Sequence, residues 1–155
     1  RVQGRDVSRM PLHLIKLCVG VKEVDELAKW QKERRAQQRK AGVKKPVTRH
    51  LTRMTPKRAD EIVGEGSLYW VMAGVIRCRQ RIIAIGPGVN PRGEKRCEIR
   101  LDPRIVKVVP RGFRAFQGWR YFEPKDAPPD LSTLGGDVAD MPAKMAEELR
   151  ELGLL

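Results

Sequence analysis

The stretch "GSLYWVMAGVIRCRQRIIAIG", Gly66 to Gly86, constrains the fold of this chain more than any other. Uncharged residues run from Leu68 to Ile76, and Arg77, Arg79 and Arg81 then stand at alternate positions. On a strand that spacing turns three like charges to one face and Ile76, Cys78 and Ile82 to the other. In the preceding run Leu68, Trp70 and Met72 share one face and Tyr69, Val71 and Ala73 the other, so this strand is apolar on both sides and expected at the centre of a sheet. A turn-rich link, "GPGVNPRG" from Gly86 to Gly93, leads into "EKRCEIRLD", where Glu94, Arg96, Glu98, Arg100 and Asp102 alternate with Cys97, Ile99 and Leu101. The expectation is a β-hairpin with an apolar core face. A register with Arg81 opposite Glu98 sets Arg79 against Arg100 and Arg77 against Asp102, leaving the Arg79–Arg100 pair cationic. That face is either a charge ladder that stabilises the hairpin or a surface that meets phosphate.

Around this hairpin the remaining elements are short. "PLHLIKLCVGV" reads as a first strand, "VTRHLTRM" as another, and "RIVKVV" and "GWRYF" as later ones. Lys22 to Ala41 reads as a helix, with Glu23, Asp25 and Glu26 early and Arg39 and Lys40 late, as the helix dipole favours. Val24, Leu27, Ala28 and Trp30 can dock its first two turns. "QKERRAQQRK" has no apolar stripe past Ala36, so its outer turns are expected to project into solvent. "TPKRADEIVGEG" predicts a short helix with Thr55 as N-cap, Pro56 at the first position and a core stripe of Ala59, Ile62 and Val63. Lys57 and Arg58 in its first turn make a candidate anion site at a helix N-terminus. Beyond the turn-forming "PKDAPPDLSTLGGD", Met145, Leu149 and Leu152 predict a last helix with acidic edges. The organisation expected is a leader or flexible N-terminus over residues 1–9, one α+β domain over 10–131, and a C-terminal extension with a helix over 132–155.

Thirty-two Lys and Arg against 19 Asp and Glu give this chain of 155 residues a net charge of +13. A balance of that kind points to RNA or another polyanion as partner, with a ribonucleoprotein as the wider setting. More than half of the excess lies in Lys29 to Lys45, where eight bases face Glu33 alone. The candidate contacts are Lys32, Arg35 and Arg39 on the helix, Lys57 and Arg58 on the short helix, and Arg79 and Arg100 on the hairpin. "RGFRAFQGWRYF" adds Arg114, Trp119, Arg120 and Tyr121, since rings that stack on bases beside guanidinium groups that hold phosphate suit a single strand. The same rings are needed to fill a core, and both uses stay open.

Nothing in the sequence signals catalysis, a metal or a cofactor. Cys18, Cys78 and Cys97 lack CxxC spacing and His13 and His50 stand far from any Cys pair, so the thiols read as structural and the compartment as a reducing cytoplasm. No apolar run approaches the ~20 residues of a membrane span, and no membrane partner is expected.

"MPLHLIKLCVGV", "RMTPKRADEI", "GSLYWVMAGVIRCRQRI" and "FQGWRYFEPKDAPPDL", in that order, resemble a small bacterial family catalogued as domain of unknown function 1489, over Met10 to about Leu131. That resemblance implies no activity and no catalytic residue. At the level of fold, a short helix, "GEGSLYWV", antiparallel strands and a late "GWRYF" resemble the PUA, ASCH and EVE pseudobarrels, which mostly bind RNA or modified bases. The fold expected is therefore α+β: a mostly antiparallel, PUA-like mixed β pseudobarrel with a long basic N-terminal helix, a short helix and a C-terminal helix. The function expected is RNA binding. Two alternatives stand beside it: hydrolysis of a modified nucleoside or base, for which Thr55, Lys57 and Glu61 offer residue types, and a protein-interaction module of a ribonucleoprotein.

Overall fold

A computed structural model describes residues 10–134 of the chain. The expected leader and the expected C-terminal helix lie outside the described residues. In chain order the elements are β1 (His13–Leu17), α1 (Val24–Lys40), β2 (Thr48–Thr52), β3 (Ser67–Met72), β4 (Val75–Val89), β5 (Lys95–Leu101), β6 (Val106–Gly112) and β7 (Trp119–Phe122). The strands form one mixed sheet in the order β2-β5-β4-β3-β1-β7, with β6 also paired to β4. β1 and β3 run parallel and the other ladders antiparallel. The α+β class holds in this form, and none of the described helices is long and apolar enough to cross a membrane.

β4 organises the sheet. Its first half pairs with β3 and β6, and its second half, Ile82 to Val89, pairs with β5. The main core joins Leu14, Leu68, Trp70 and Cys78 of the first part to Cys97, Ile99 and Leu101 of the second and to Leu27 of α1. On the other face of β3, Ile15, Tyr69 and Val71 pack with Val108, Phe116 and Phe122. All six residues of β3 are buried, as expected of a strand apolar on both sides. Each large aliphatic side chain in these layers contributes ~1.5 to 3 kcal/mol by leaving water.

Two ends of the sheet approach without pairing. β2 and β7 are the outer strands of the path. What links them is the Trp119 indole Nε1, which donates to the Met54 carbonyl at 2.9 Å, and the Arg58 amide, which donates to the Tyr121 hydroxyl at 3.1 Å. The sheet curls but its ladder is not closed.

The hairpin is present with a different register. β3 enters β4 through a two-residue turn in which Ala73 and Gly74 both have positive φ, 50° and 80°, the backbone that a tight hairpin of right-twisted strands requires. β4 then continues through "GPGV", and the turn to β5 contracts to Asn90–Glu94, where Asn90 Oδ1 accepts the amides of Arg92 and Glu94. A bulge between Ile82 and Ala84 moves the pairing again. As a result Glu98 faces Gly86 and not Arg81, and Arg100 faces Ala84 and not Arg79. Asp102 meets Arg81 and not Arg77: its amide donates to the Arg81 carbonyl at 2.8 Å.

The short helix is also corrected. Only a three-residue 3-10 turn, Ala59–Glu61, forms, without a side-chain cap. Ile62 alone of the expected stripe is fully buried, and Val63 is exposed. One anchor cannot hold an α-helix of this length, and the Arg58 amide that an N-terminus would offer to an anion is taken by Tyr121.

Candidate nucleic-acid interface

α1 carries Asp25 and Glu26 in its first turn and Arg39 and Lys40 in its last. Its inward stripe is Val24, Leu27, Gln31, Arg35 and Gln38, the 3-and-4 spacing of one helical face. After the first two positions the stripe is polar. Gln31, 5% exposed, and Gln80, 0% exposed, exchange two amide hydrogen bonds of 2.8 Å each. Gln80 Oε1 also accepts the Trp70 indole N–H at 3.0 Å, and Gln80 Nε2 also donates to the Asp102 carbonyl at 3.1 Å. Arg35 donates to the Thr48 hydroxyl at 2.8 Å. Gln38 both donates to the Val47 carbonyl and accepts the Val47 amide, each at 2.8 Å. The late turns therefore do not project free. They are fastened along one face by hydrogen bonds in place of apolar packing.

That docking leaves the opposite side of α1 to solvent. Lys29, Lys32, Arg39 and Lys40 are exposed there, followed by Lys44 and Lys45 in the link to β2. None of the six makes an ion pair among the described residues. Trp30, expected to dock, is instead exposed, with the Arg34 guanidinium 4.6 Å above its ring.

Arg49, Arg79, Arg81 and Arg100 of the sheet are in a different electrostatic condition. Arg79 makes a two-pronged pair with Asp130, 2.8 Å on each side, and donates to Ser67 Oγ at 3.0 Å. The hydrogen bond from Arg79 holds the Asp130 carboxyl below the usual carboxylate range, against the opposing effect of burial. Arg81 reaches Asp102 at 3.5 Å and the Gly64 carbonyl at 2.9 Å. Arg100 and Arg49 share Glu98, at 2.7 and 3.1 Å. Burial pushes the Glu98 carboxyl up, and the two arginines outweigh it. A cleft of about 310 Å³ lies between Gly64, Glu65, Arg79, Arg81, Asp102, Arg104 and Val106, with both signs of charge on its walls. The pair expected to be left cationic, Arg79 with Arg100, is neutralised by carboxylates on each side.

At the corner between β2 and β7, Trp119 and Tyr121 are half-buried and packed edge to face at 5.0 Å. Arg58 lies 5.3 Å over the Tyr121 ring and binds Glu61 through two hydrogen bonds of 2.7 Å. Lys57 and Arg114 are exposed without an ion pair among the described residues, and Arg120 lies 4.7 Å over Phe116. The sequence-selected residues thus divide among α1, this corner and the sheet face, and do not converge on one point. Tyr69 and Phe116 are core. Lys29, Lys40, Lys44 and Lys45, within the basic segment read from the sequence but not among its named contacts, join the site, and the exposed Trp30 is an addition. Their signal was the spacing of Gln31, Arg35 and Gln38 behind Leu27.

The buried titratable groups serve packing. The His13 Nδ1 accepts the Ser67 amide at 2.9 Å, and burial, then the Arg79 charge, bring its pKa down to about 4. His50 packs edge-on against Trp70 at 5.2 Å, and burial, then the Lys16 charge, bring it also to about 4. Burial pushes the Cys78 thiol up to about 12, the condition of an inert core cysteine.

No curated protein and no solved structure matches the chain. One family model, described as "Protein of unknown function (DUF1489)", matches residues 14–155. With that match extending from β1 through every later element, the chain belongs to the DUF1489 family of proteins of unknown function.

Proposed function

We propose that this protein is an RNA-binding module whose contact surface is the outward side of α1 and the link that follows it. The observation that carries the reading is the gathering, on one helix and its exit, of cations unpaired among the described residues. Arg49, Arg58, Arg79, Arg81, Arg96 and Arg100 each have a carboxylate partner. Lys29, Lys32, Arg39, Lys40, Lys44 and Lys45, adjacent on one helix and its exit, have none among the described residues. Like charges gathered without counter-charge repel one another, and a polyanion that releases its own counterions on binding relieves that repulsion. The resemblance to RNA-binding pseudobarrels favours RNA over DNA. The hydrolase alternative has less to draw on, because the Glu61 carboxylate is held by Arg58 and Thr55 and Lys57 stand exposed.

The test is a variant with Lys29, Lys32, Arg39 and Lys40 all changed to Gln, titrated against a labelled RNA over a salt series. Arg35 is left in place because it holds Thr48. Removing one cation from a phosphate lowers the slope of log affinity against log salt by ~0.7 on a single strand, so removing four flattens it by roughly 3. Exposed substitutions of this kind change stability by about 0.5 kcal/mol or less each, so the melting curve stays close to the parent's. A variant with the parent's salt slope overturns the assignment to α1.

A further inference from the structure

We infer that Trp30 is the base-stacking element of the α1 surface and that the nucleic acid bound there is single-stranded or looped, with unpaired bases. This rests on the RNA-binding reading above and names the substrate class of that same surface.

Trp30 is unlike the other two tryptophans. Trp70 is 2% exposed within the main core, and Trp119 packs on that core with its indole N–H bonded to Met54. Trp30 belongs to neither core cluster, is 41% exposed, and makes no indole hydrogen bond to a described residue. Two-fifths of this large aromatic stands in water on an otherwise charged helix, and it is not among the core side chains. One turn on, Arg34 lays its guanidinium 4.6 Å over the ring, which orients the indole and keeps a cation beside it. A ring that takes a base face and a guanidinium that takes the adjoining phosphate are the two groups a nucleotide of a single strand engages. Lys29, immediately before Trp30 in the same turn, continues the cationic surface around the helix.

The pairing state of the nucleic acid follows from the same chemistry. In a duplex each base face is already stacked and only phosphates and groove edges are offered, so the lysines still find partners and the indole does not. Trp30 therefore adds affinity only for unpaired bases.

The experiment uses the full chain with Trp30→Leu, which keeps apolar bulk without a ring, and Trp30→Phe, which keeps a ring. Each is titrated across a salt series against labelled oligouridine and against a blunt RNA duplex of the same length. Trp30→Leu is expected to weaken oligouridine binding by roughly 5- to 150-fold with the salt slope unchanged, to leave duplex binding unchanged, and Trp30→Phe is expected to recover most of the loss. Parent-like oligouridine binding by Trp30→Leu, alongside a flattened slope in the lysine and arginine variant, overturns the stacking inference and leaves the RNA-binding reading standing. Equal losses on single strand and duplex overturn it as well, since Trp30 then acts only by holding Arg34. A parent protein that binds neither probe in a salt-dependent manner overturns both readings.

Discussion

Replacing Gln80 with Leu removes the centre of a buried hydrogen-bond network and strands several groups at once. Gln80 is 0% exposed, and its amide serves the Gln31 side chain in both directions, the Trp70 indole N–H and the Asp102 carbonyl. A buried polar group left without a partner costs about 1 to 3 kcal/mol. The amide N–H and C=O of Gln31, the Trp70 N–H and the Asp102 C=O are four such groups. Gln80→Leu is therefore expected to cost at least about 4 kcal/mol, out of a total stability of about 5 to 15 kcal/mol for an ordinary domain. Gln31→Leu is milder. It removes the two reciprocal bonds, but Gln80 still accepts from Trp70 and donates to Asp102, so the loss is about 2 kcal/mol at a net ~1 kcal/mol per bond. In the double variant the stranded Gln31 amide is gone, so it should be no less stable than Gln80→Leu alone. The difference between the double loss and the sum of the singles measures the coupling of α1 to the sheet. Urea denaturation of the four proteins reads each value, with the denaturant slope checked for constancy. Single losses that add in the double variant, or a Gln80→Leu cost below about 1 kcal/mol, would refute the view that paired amides fasten α1.

Two further outcomes follow from buried groups. His13 and His50 are held near 4 when folded against an ordinary 6.5, so the unfolded chain takes protons that the folded chain refuses. Their contribution is present above about pH 6.5 and lost as pH falls toward 4. At about 1.4 kcal/mol per pH unit it is on the order of 3 kcal/mol for each histidine. Urea melts at stepped pH check it, and a flat stability between pH 6.5 and 4.5 contradicts it. Gly66→Ala would place its Cβ 2.3 Å from the Leu12 carbonyl oxygen and 2.6 Å from that of Ile62, both backbone atoms, so a loss above about 3 kcal/mol or a failure to fold is expected. A thermal melt within a degree or two of the parent's would show that this close approach of backbones yields more easily than its geometry suggests.

What could be read from the sequence was what local pattern encodes. β3 is buried on both faces because "LYWVM" is apolar without interruption, Ser67 being buried through its bonds to His13 and Arg79, and the strands β1, β2, β5, β6 and β7 fall where alternation placed them. The register of β4 with β5 was not legible, because "GPGV" reads as loop by composition while its backbone pairs with β5, and a bulge leaves no mark in polarity. The partner of Arg79 was hidden for another reason: Asp130 stands 51 residues away, on a segment whose composition says only turn.

The same limit governs α1 most strongly. An apolar stripe ends at Leu27, yet the spacing continues through Gln31, Arg35 and Gln38. Gln31 is a core residue only because Gln80, 49 positions later, supplies its two hydrogen bonds. A polar side chain declares its burial through its partner, and the partner is a tertiary fact. This also bears on what the helix can do. A helix docked by a broad apolar face has to give that face to the core, whereas α1 is fixed by one narrow line of amides and a guanidinium. The wider remainder of its circumference is free to carry Lys29, Lys32, Arg39 and Lys40 on one flank and Trp30 with Arg34 on another. Hydrogen bonds with defined geometry hold the helix in a single rotation about its axis, so the backbone positions from which these cations and the indole extend are fixed. Under the RNA-binding proposal such positions lower the ordering cost of binding a flexible strand, which is what a docked helix would gain over a loose basic tail.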